Sequence, residues 1–111
     1  MGKSQRDKGA RYEREIVNLF QEWGVAAERV PLSGASGGRY AGDVSVPVLG
    51  ADVVFELKKR GNGFKQLYKW LGDDNYGLIV AADRQPSLVC VPIYRFIKLL
   101  REAENAKNQK R

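Results

Sequence analysis

The sequence predicts an α/β protein in which a mixed central β-sheet of about five strands is flanked by helices, in the order α-β-β-β-α-β-β-α. Apolar residues recur at helical spacing in three segments, and short apolar or β-branched runs typical of strands lie between them. The chain has 111 residues, 43% of them hydrophobic, which is the size of one compact domain. We therefore expect a single domain over residues 10–102, preceded by a flexible basic arm over residues 1–9 and followed by a basic tail over residues 103–111.

Three helices follow from the spacing of apolar side chains. The first is predicted from Ala10 to Trp23, and Gly24 stands where a helix C-cap is expected. The second is predicted over Phe64–Leu71, and the third opens at Pro92, which is favoured in a first helical turn. From Ala103 on, the chain loses its apolar stripe, so we expect the last helix to fray there.

The strands are predicted from runs bounded by glycine and other turn residues. Leu49 and Gly50 join two such runs as a hairpin. The segment Ser33–Gly42 is rich in glycine and is predicted to be a flexible loop. It lacks the lysine of a phosphate-binding P-loop and precedes no helix, which disfavours nucleotide binding. The predicted strands are Ala26–Val30, Asp43–Val48, Asp52–Lys58, Tyr76–Ala82 and Ser87–Val91.

The composition excludes several classes of function. The chain has no histidine, which removes mechanisms that need an imidazole base and most zinc sites. The single cysteine, Cys90, cannot form an internal disulfide, and its apolar neighbours indicate a core residue. No apolar run approaches the ~18 to 20 residues that span a bilayer, so we expect a cytoplasmic protein without a membrane partner. The net charge of +6 fits a polyanion partner, although proteins of other classes share it.

A candidate catalytic group lies on the predicted hairpin. Strand alternation would place Val54, Glu56 and Lys58 on one face, with the last two side chains roughly 6 to 7 Å apart along the strand. An isolated Glu-x-Lys more often reflects a solvated strand face. Asp43 strengthens the prediction because hairpin pairing would bring its carboxylate toward Glu56. Two such oxygen donors suit Mg²⁺ or Mn²⁺.

A third acid, Glu13, lies on the first predicted helix and shares a face with Val17 and Phe20. It could instead be a favourable acid near a helix N-terminus. Glu15 is an alternative candidate for the same role.

The ordered segments KGARYEREIVNLF, GDVSV and FELKK resemble the PD-(D/E)XK nuclease superfamily, and most closely the archaeal-type Holliday-junction resolvases and their phage relatives. The resemblance implies a restriction-endonuclease-like fold and a catalytic set of Glu13, Asp43, Glu56 and Lys58. Gly42 replaces the proline that usually precedes the aspartate. We expect a metal-dependent endonuclease that resolves four-way DNA junctions. A general or nicking DNA endonuclease and a non-catalytic nucleic-acid-binding module are the alternatives.

The resemblance also implies a metal site and a DNA-binding surface. Asp43, Glu56, the backbone carbonyl of Leu57 and Glu13 would bind Mg²⁺, for which Mn²⁺ could substitute. A homodimer is expected because it matches the two-fold symmetry of a junction. Gln66 remains an open candidate beside the site. The predicted DNA contacts are Lys8, Arg11, Arg14, Arg29, Ser33, Ser36, Arg39, Lys59, Arg60 and Lys65.

Overall fold

The computed structural model of the protein describes residues 2–30 and 43–109. Its elements follow the predicted order α-β-β-β-α-β-β-α. The chain divides into two compact units, a first unit of Met1–Lys59 with Ala103–Arg111 and a second unit of Arg60–Glu102. The single domain over residues 10–102 stays a prediction. The elements are α1 (Gly2–Glu22), β1 (Glu28–Arg29), β2 (Val44–Val48), β3 (Ala51–Phe55), α2 (Lys65–Leu71), β4 (Leu78–Val80), β5 (Leu88–Cys90) and α3 (Ile93–Gln109).

Helix α1 ends in a Schellman motif. The backbone N–H of Val25 donates to the carbonyl of Phe20 at 2.9 Å, and the N–H of Gly24 donates to the carbonyl of Gln21 at 3.0 Å. Gly24 has a φ of 82°, the left-handed conformation that glycine adopts without strain. The predicted C-terminal cap is therefore confirmed. The predicted start at Ala10 is wrong, because the helix already includes residues 2–9.

Strands β1, β2 and β3 form an antiparallel sheet in that spatial order. The hairpin register pairs Val44 with Phe55 and Val46 with Val53. Val44 and Val46 are fully buried and lie on one face of β2, because alternate residues of a strand point the same way. Phe20 of α1 is also buried in this unit. The β2–β3 hairpin is thus fixed in register by its apolar face.

The predicted mixed sheet of five strands is wrong for the described residues, which form a three-stranded and a two-stranded sheet, both antiparallel. The strand predicted over Asp52–Lys58 ends at Phe55. Beyond it, the N–H of Leu57 donates to the side chain of Asp43 and not to a backbone carbonyl. The charged residues after Phe55 therefore leave the sheet.

The hairpin turn is held by the end of α3. The carboxylate of Glu104 accepts a hydrogen bond from the N–H of Leu49 at 3.3 Å, and the Lys107 ammonium donates to the Leu49 carbonyl at 3.1 Å. The prediction that the helix frays from Ala103 is wrong, since α3 continues to Gln109. Alanine, glutamate, lysine and glutamine favour a helix even without an apolar stripe, and these contacts add tertiary support.

The second unit contains α2 and the β4–β5 pair, in which Ile79 lies opposite Val89. Gly77 precedes β4 and approaches Val91 so closely that an added Cβ would lie 2.5 Å from its side chain. A larger residue there would force the strands to shift. In the described part of the chain, no helix combines the length and the hydropathy needed to cross a membrane.

Candidate active site

Asp43 immediately precedes β2, at the end of the β2–β3 hairpin opposite its turn. Its backbone N–H donates at 2.8 Å to the carbonyl of Phe55, the residue that pairs with Val44 at the end of the ladder. Its side-chain Oδ2 accepts a hydrogen bond from the N–H of Leu57 at 2.8 Å. A carboxylate thus takes the place that a backbone carbonyl would have if the strand continued. Asp43 therefore fixes the backbone between Glu56 and Lys58.

Glu56 and Lys58 form an ion pair immediately after β3. The Lys58 ammonium lies 2.8 Å from Oε2 of Glu56, and the two side chains are 54% and 50% exposed. Such an exposed pair contributes little to the free energy of folding. Each of its two side chains can therefore exchange this partner for another. The sequence correctly predicts that the two side chains are neighbours, although they lie beyond the strand end and not on β3.

Glu13 is held against the start of β2 by Arg29. The guanidinium Nε of Arg29 donates to Oε1 of Glu13 at 3.0 Å, and both groups are partly buried. Arg29 belongs to β1 and pairs with Val44, the residue after Asp43. The N–H of Val30 also donates to the Asp43 carbonyl at 3.0 Å. These contacts connect Glu13 of α1 to β2, the strand that follows Asp43.

Lys59 connects the segment after β3 to the part of α1 that carries Glu13. Its ammonium lies 4.0 Å from Oε2 of Glu15 and 5.2 Å from the centre of the Tyr12 ring. Glu13 lies between these two positions of α1. Glu15, the competing candidate, is exposed and pairs with Lys59, whereas Glu13 is more buried and contacts Arg29. The three segments that carry the predicted catalytic residues therefore meet in the first unit.

The acidic side chains supply the chemistry that a divalent cation requires but are not gathered into one cluster. Among the described side chains, those of residues 8–30 and 43–108, no three acidic or cysteine side chains are close enough to bind a metal ion together. Each candidate acid instead contacts a donor of the chain: Arg29 for Glu13, a backbone N–H for Asp43 and Lys58 for Glu56. Magnesium commonly uses only one or two protein carboxylates with water and substrate oxygens. The donor set fits such a cation.

Several predicted DNA contacts are exposed basic side chains. In the first unit they belong to the outer face of α1 and to the segment after β3, and in the second unit they precede or begin α2. Arg29 differs, because it is partly buried and paired with Glu13. Ser33, Ser36 and Arg39, like Gly42, lie outside the described residues. The exposed basic residues are Lys8, Arg11, Arg14 and Lys59 in the first unit, and Arg60 and Lys65 in the second.

The second unit contains a polar and aromatic group that sequence reasoning missed. Arg95 lies against the rings of Tyr76 and Tyr94, with its guanidinium carbon 4.7 and 5.6 Å from their centres. The sequence feature that could have indicated this group is the adjacent pair of Tyr94 and Arg95 in the first turn of the last predicted helix. Gln66, the open candidate, is an exposed residue of α2, and its role stays a prediction.

The chain matches a known protein family. The model of the family described as "Phage putative PDDEXK endonuclease" matches residues 4–110, a range that includes all four predicted catalytic residues. No curated protein and no solved structure matches the chain.

Proposed function

The chain belongs to the phage PDDEXK endonuclease family, within the PD-(D/E)XK nuclease superfamily, and we propose that it is a metal-dependent endodeoxyribonuclease that resolves four-way (Holliday) junctions or other branched DNA. The observation that carries the proposal is the 2.8 Å hydrogen bond from the N–H of Leu57 to the Asp43 carboxylate. This bond links the aspartate of the motif to the segment that carries Glu56 and Lys58.

Asp43, Glu56 and the Leu57 carbonyl would bind Mg²⁺, with Mn²⁺ as a possible substitute. The bound cation would polarise the scissile phosphate and activate a water molecule. One oxygen of Asp43 accepts the N–H of Leu57, and the other would bind the cation. By holding the Leu57 backbone, Asp43 also orients the carbonyl of that residue. Glu13 would contribute a further oxygen, and Arg29 holds it beside β2.

Lys58 would balance negative charge at the phosphate or position the attacking water. Its ammonium is half exposed and contacts Glu56, so it can turn toward an incoming phosphate without leaving a buried charge unpaired. The pair also neutralises Glu56 before substrate arrives. Lys58 therefore reduces the repulsion that a carboxylate-rich site would exert on DNA.

The exposed basic residues would bind the DNA backbone. On α1, Lys8, Arg11 and Arg14 are solvent-facing, and phosphate contacts of this kind release counterions. DNA affinity should therefore fall steeply as salt concentration rises.

Exposed apolar side chains of the β4–β5 pair support the proposal of a homodimer. The cross-strand partners Ile79 and Val89 are 71% and 68% exposed, and Leu88 of the same pair is also exposed. A monomer rarely exposes a contiguous apolar patch of more than a few hundred Å², and a two-stranded sheet gains stability from further packing. Sedimentation velocity at micromolar concentration should give a dimer mass, and Ile79→Lys should shift it toward the monomer. A monomer mass for the wild-type chain would contradict the dimer.

The nuclease proposal is tested with a labelled four-way junction and a linear duplex of matched sequence, each with Mg²⁺ or with EDTA. Symmetric nicks across the junction point, present only with Mg²⁺, are expected for a resolvase. Equal cutting of both DNAs would indicate a general or nicking endonuclease. Binding without cutting, unaffected by Mg²⁺, would overturn the catalytic proposal in favour of a binding module.

Metal binding has a readout that is independent of cleavage. A cation that binds only the folded chain raises its melting temperature with concentration. Mg²⁺ should therefore stabilise the wild-type chain and should stabilise Glu56→Gln less. Equal shifts in both proteins would exclude Glu56 as a ligand.

A further inference from the structure

The second unit has an open cavity that the proposed catalytic residues do not use. Its volume is about 470 Å³, and its lining includes Tyr76, Tyr94, Arg95, Lys98 and Glu102. This volume is in the range of small-molecule sites. Tyr76 and Tyr94 are 57% and 51% exposed, which is more aromatic surface than a core position would leave in contact with water. The cavity therefore offers two accessible rings beside two positive charges.

Arg95 holds this group in place. Its Nη1 donates to the backbone carbonyl of Asn75 at 3.0 Å and also to that of Tyr76. The guanidinium carbon lies 4.7 Å from the centre of the Tyr76 ring and 5.6 Å from that of Tyr94, within the range of a cation–π contact. Within the described residues, these hydrogen bonds use only Nη1, so Nε and Nη2 can donate elsewhere. Arg95 thus orients the rings and keeps donors for an anion.

Aromatic rings beside arginine and lysine form the combination that binds single-stranded nucleic acid. Bases stack on exposed rings whatever their sequence, and the cations bind the phosphate. A base inside a duplex has both faces covered by its neighbours and cannot stack in this way. The Glu102 carboxylate would repel additional phosphates, so the site suits one nucleotide and not a long stretch of backbone. The chemistry therefore favours an unpaired nucleotide.

We propose that the cavity lined by Tyr76, Tyr94, Arg95 and Lys98 binds an unpaired nucleotide of single-stranded DNA by stacking its base on a tyrosine ring and pairing its phosphate with the cations. The choice of DNA rests on the proposed nuclease function. The cavity would give the protein affinity for DNA with exposed bases, such as the centre of an open junction or a flap.

The test measures binding in EDTA, so that it does not depend on cleavage. A fluorescently labelled oligothymidylate, a duplex of the same length and the matching oligouridylate are titrated with the full chain, and anisotropy is recorded. Tyr94→Leu and Tyr76→Leu remove a ring, whereas Tyr94→Phe keeps it. Tyr68→Leu removes an exposed tyrosine of α2 that does not line the cavity and serves as the matched control. Thermal melting of each variant identifies any that fail to fold.

Loss of one stacking ring should weaken oligothymidylate binding by about 5- to 100-fold, with a much smaller effect on duplex binding. Tyr94→Phe and Tyr68→Leu should bind like the wild-type chain. Equal losses for single strand and duplex, or equal affinity in all folded variants, would overturn the proposal. Tighter binding of oligouridylate than of oligothymidylate would overturn the choice of DNA. Failure of Asp43 or Glu56 variants to lose cleavage would refute the proposed catalytic site but leave this binding result unaffected.

Discussion

Replacing Asp43 separates its structural contribution from its proposed catalytic one. The Asp43 carboxylate accepts the Leu57 N–H at 2.8 Å in a partly buried position. Hydrogen bonds to charged groups contribute about 1.5 to 3 kcal/mol. Since water reaches the side chain, we expect Asp43→Ala to lower the free energy of unfolding by about 2 kcal/mol. Asp43→Asn keeps an oxygen acceptor and should lower it by about 1 kcal/mol or less.

Cleavage should respond differently from stability. Both variants remove a negative charge that we propose binds the metal ion, and metal catalysis supplies several kcal/mol of charge stabilisation, so cleavage should fall by at least about 1,000-fold in both. DNA affinity measured in EDTA should be unchanged or higher because one negative charge near the DNA is lost. The proposed experiment combines urea denaturation, junction cleavage in Mg²⁺ and anisotropy in EDTA.

The matched control is Asp52→Asn, which makes the same chemical change on β3, at an exposed residue paired with Pro47. It should leave stability and cleavage unchanged. Wild-type cleavage by Asp43→Asn would refute the catalytic assignment. Wild-type stability of Asp43→Ala would refute the argument that its carboxylate holds Leu57.

Three further substitutions test other parts of the structure. Lys58→Ala should abolish junction cleavage, and wild-type cleavage rates would contradict its role. Its DNA affinity in EDTA should stay within about tenfold of the wild-type affinity, since only one exposed cation is lost. Leu49→Asn should raise the free energy of unfolding in urea by about 1 kcal/mol, because Leu49 has a φ of 51° that asparagine tolerates better; a lower stability would contradict the turn argument. Gly77→Ala should destabilise the chain by about 1 to 3 kcal/mol because its methyl group would collide with Val91; an unchanged melting curve would show that the neighbour moves freely.

Helix ends were predictable where a local signal specifies them. Gly24 gave the end of α1 correctly, because a left-handed C-cap depends on only a few adjacent residues. The start of α1 and the end of α3 were wrong because apolar periodicity detects only helix turns that bury a face. Residues 103–109 bury no apolar stripe but include alanine, glutamate, lysine and glutamine, which favour helices by their intrinsic propensity. The contacts of Glu104 and Lys107 with the turn at Leu49 join residues that are far apart in sequence and could not be predicted from spacing.

The ion pairs around the candidate site could not be predicted from the sequence either. Pattern and resemblance identified Glu13, Glu56 and Lys58, but not that Arg29 would reach across from β1 to Glu13. Arg29 was predicted as a DNA contact because it is basic, and the structure gives it a carboxylate partner. Side-chain partners depend on strand register and helix rotation, which apolar spacing fixes only approximately.

Asp43 explains why the sheet prediction failed locally although the predicted neighbours were correct. Alternation predicted that the strand continues through Lys58, which would place Glu56 and Lys58 on one face. The carboxylate of Asp43 accepts the Leu57 N–H, and this side-chain bond replaces the next backbone step of the ladder, so β3 ends at Phe55. A strand ended in this way frees Glu56 and Lys58 from sheet packing while their connecting residue stays fixed. Asp43, which would bind a cation, therefore also determines where the segment that carries Glu56 and Lys58 leaves the sheet.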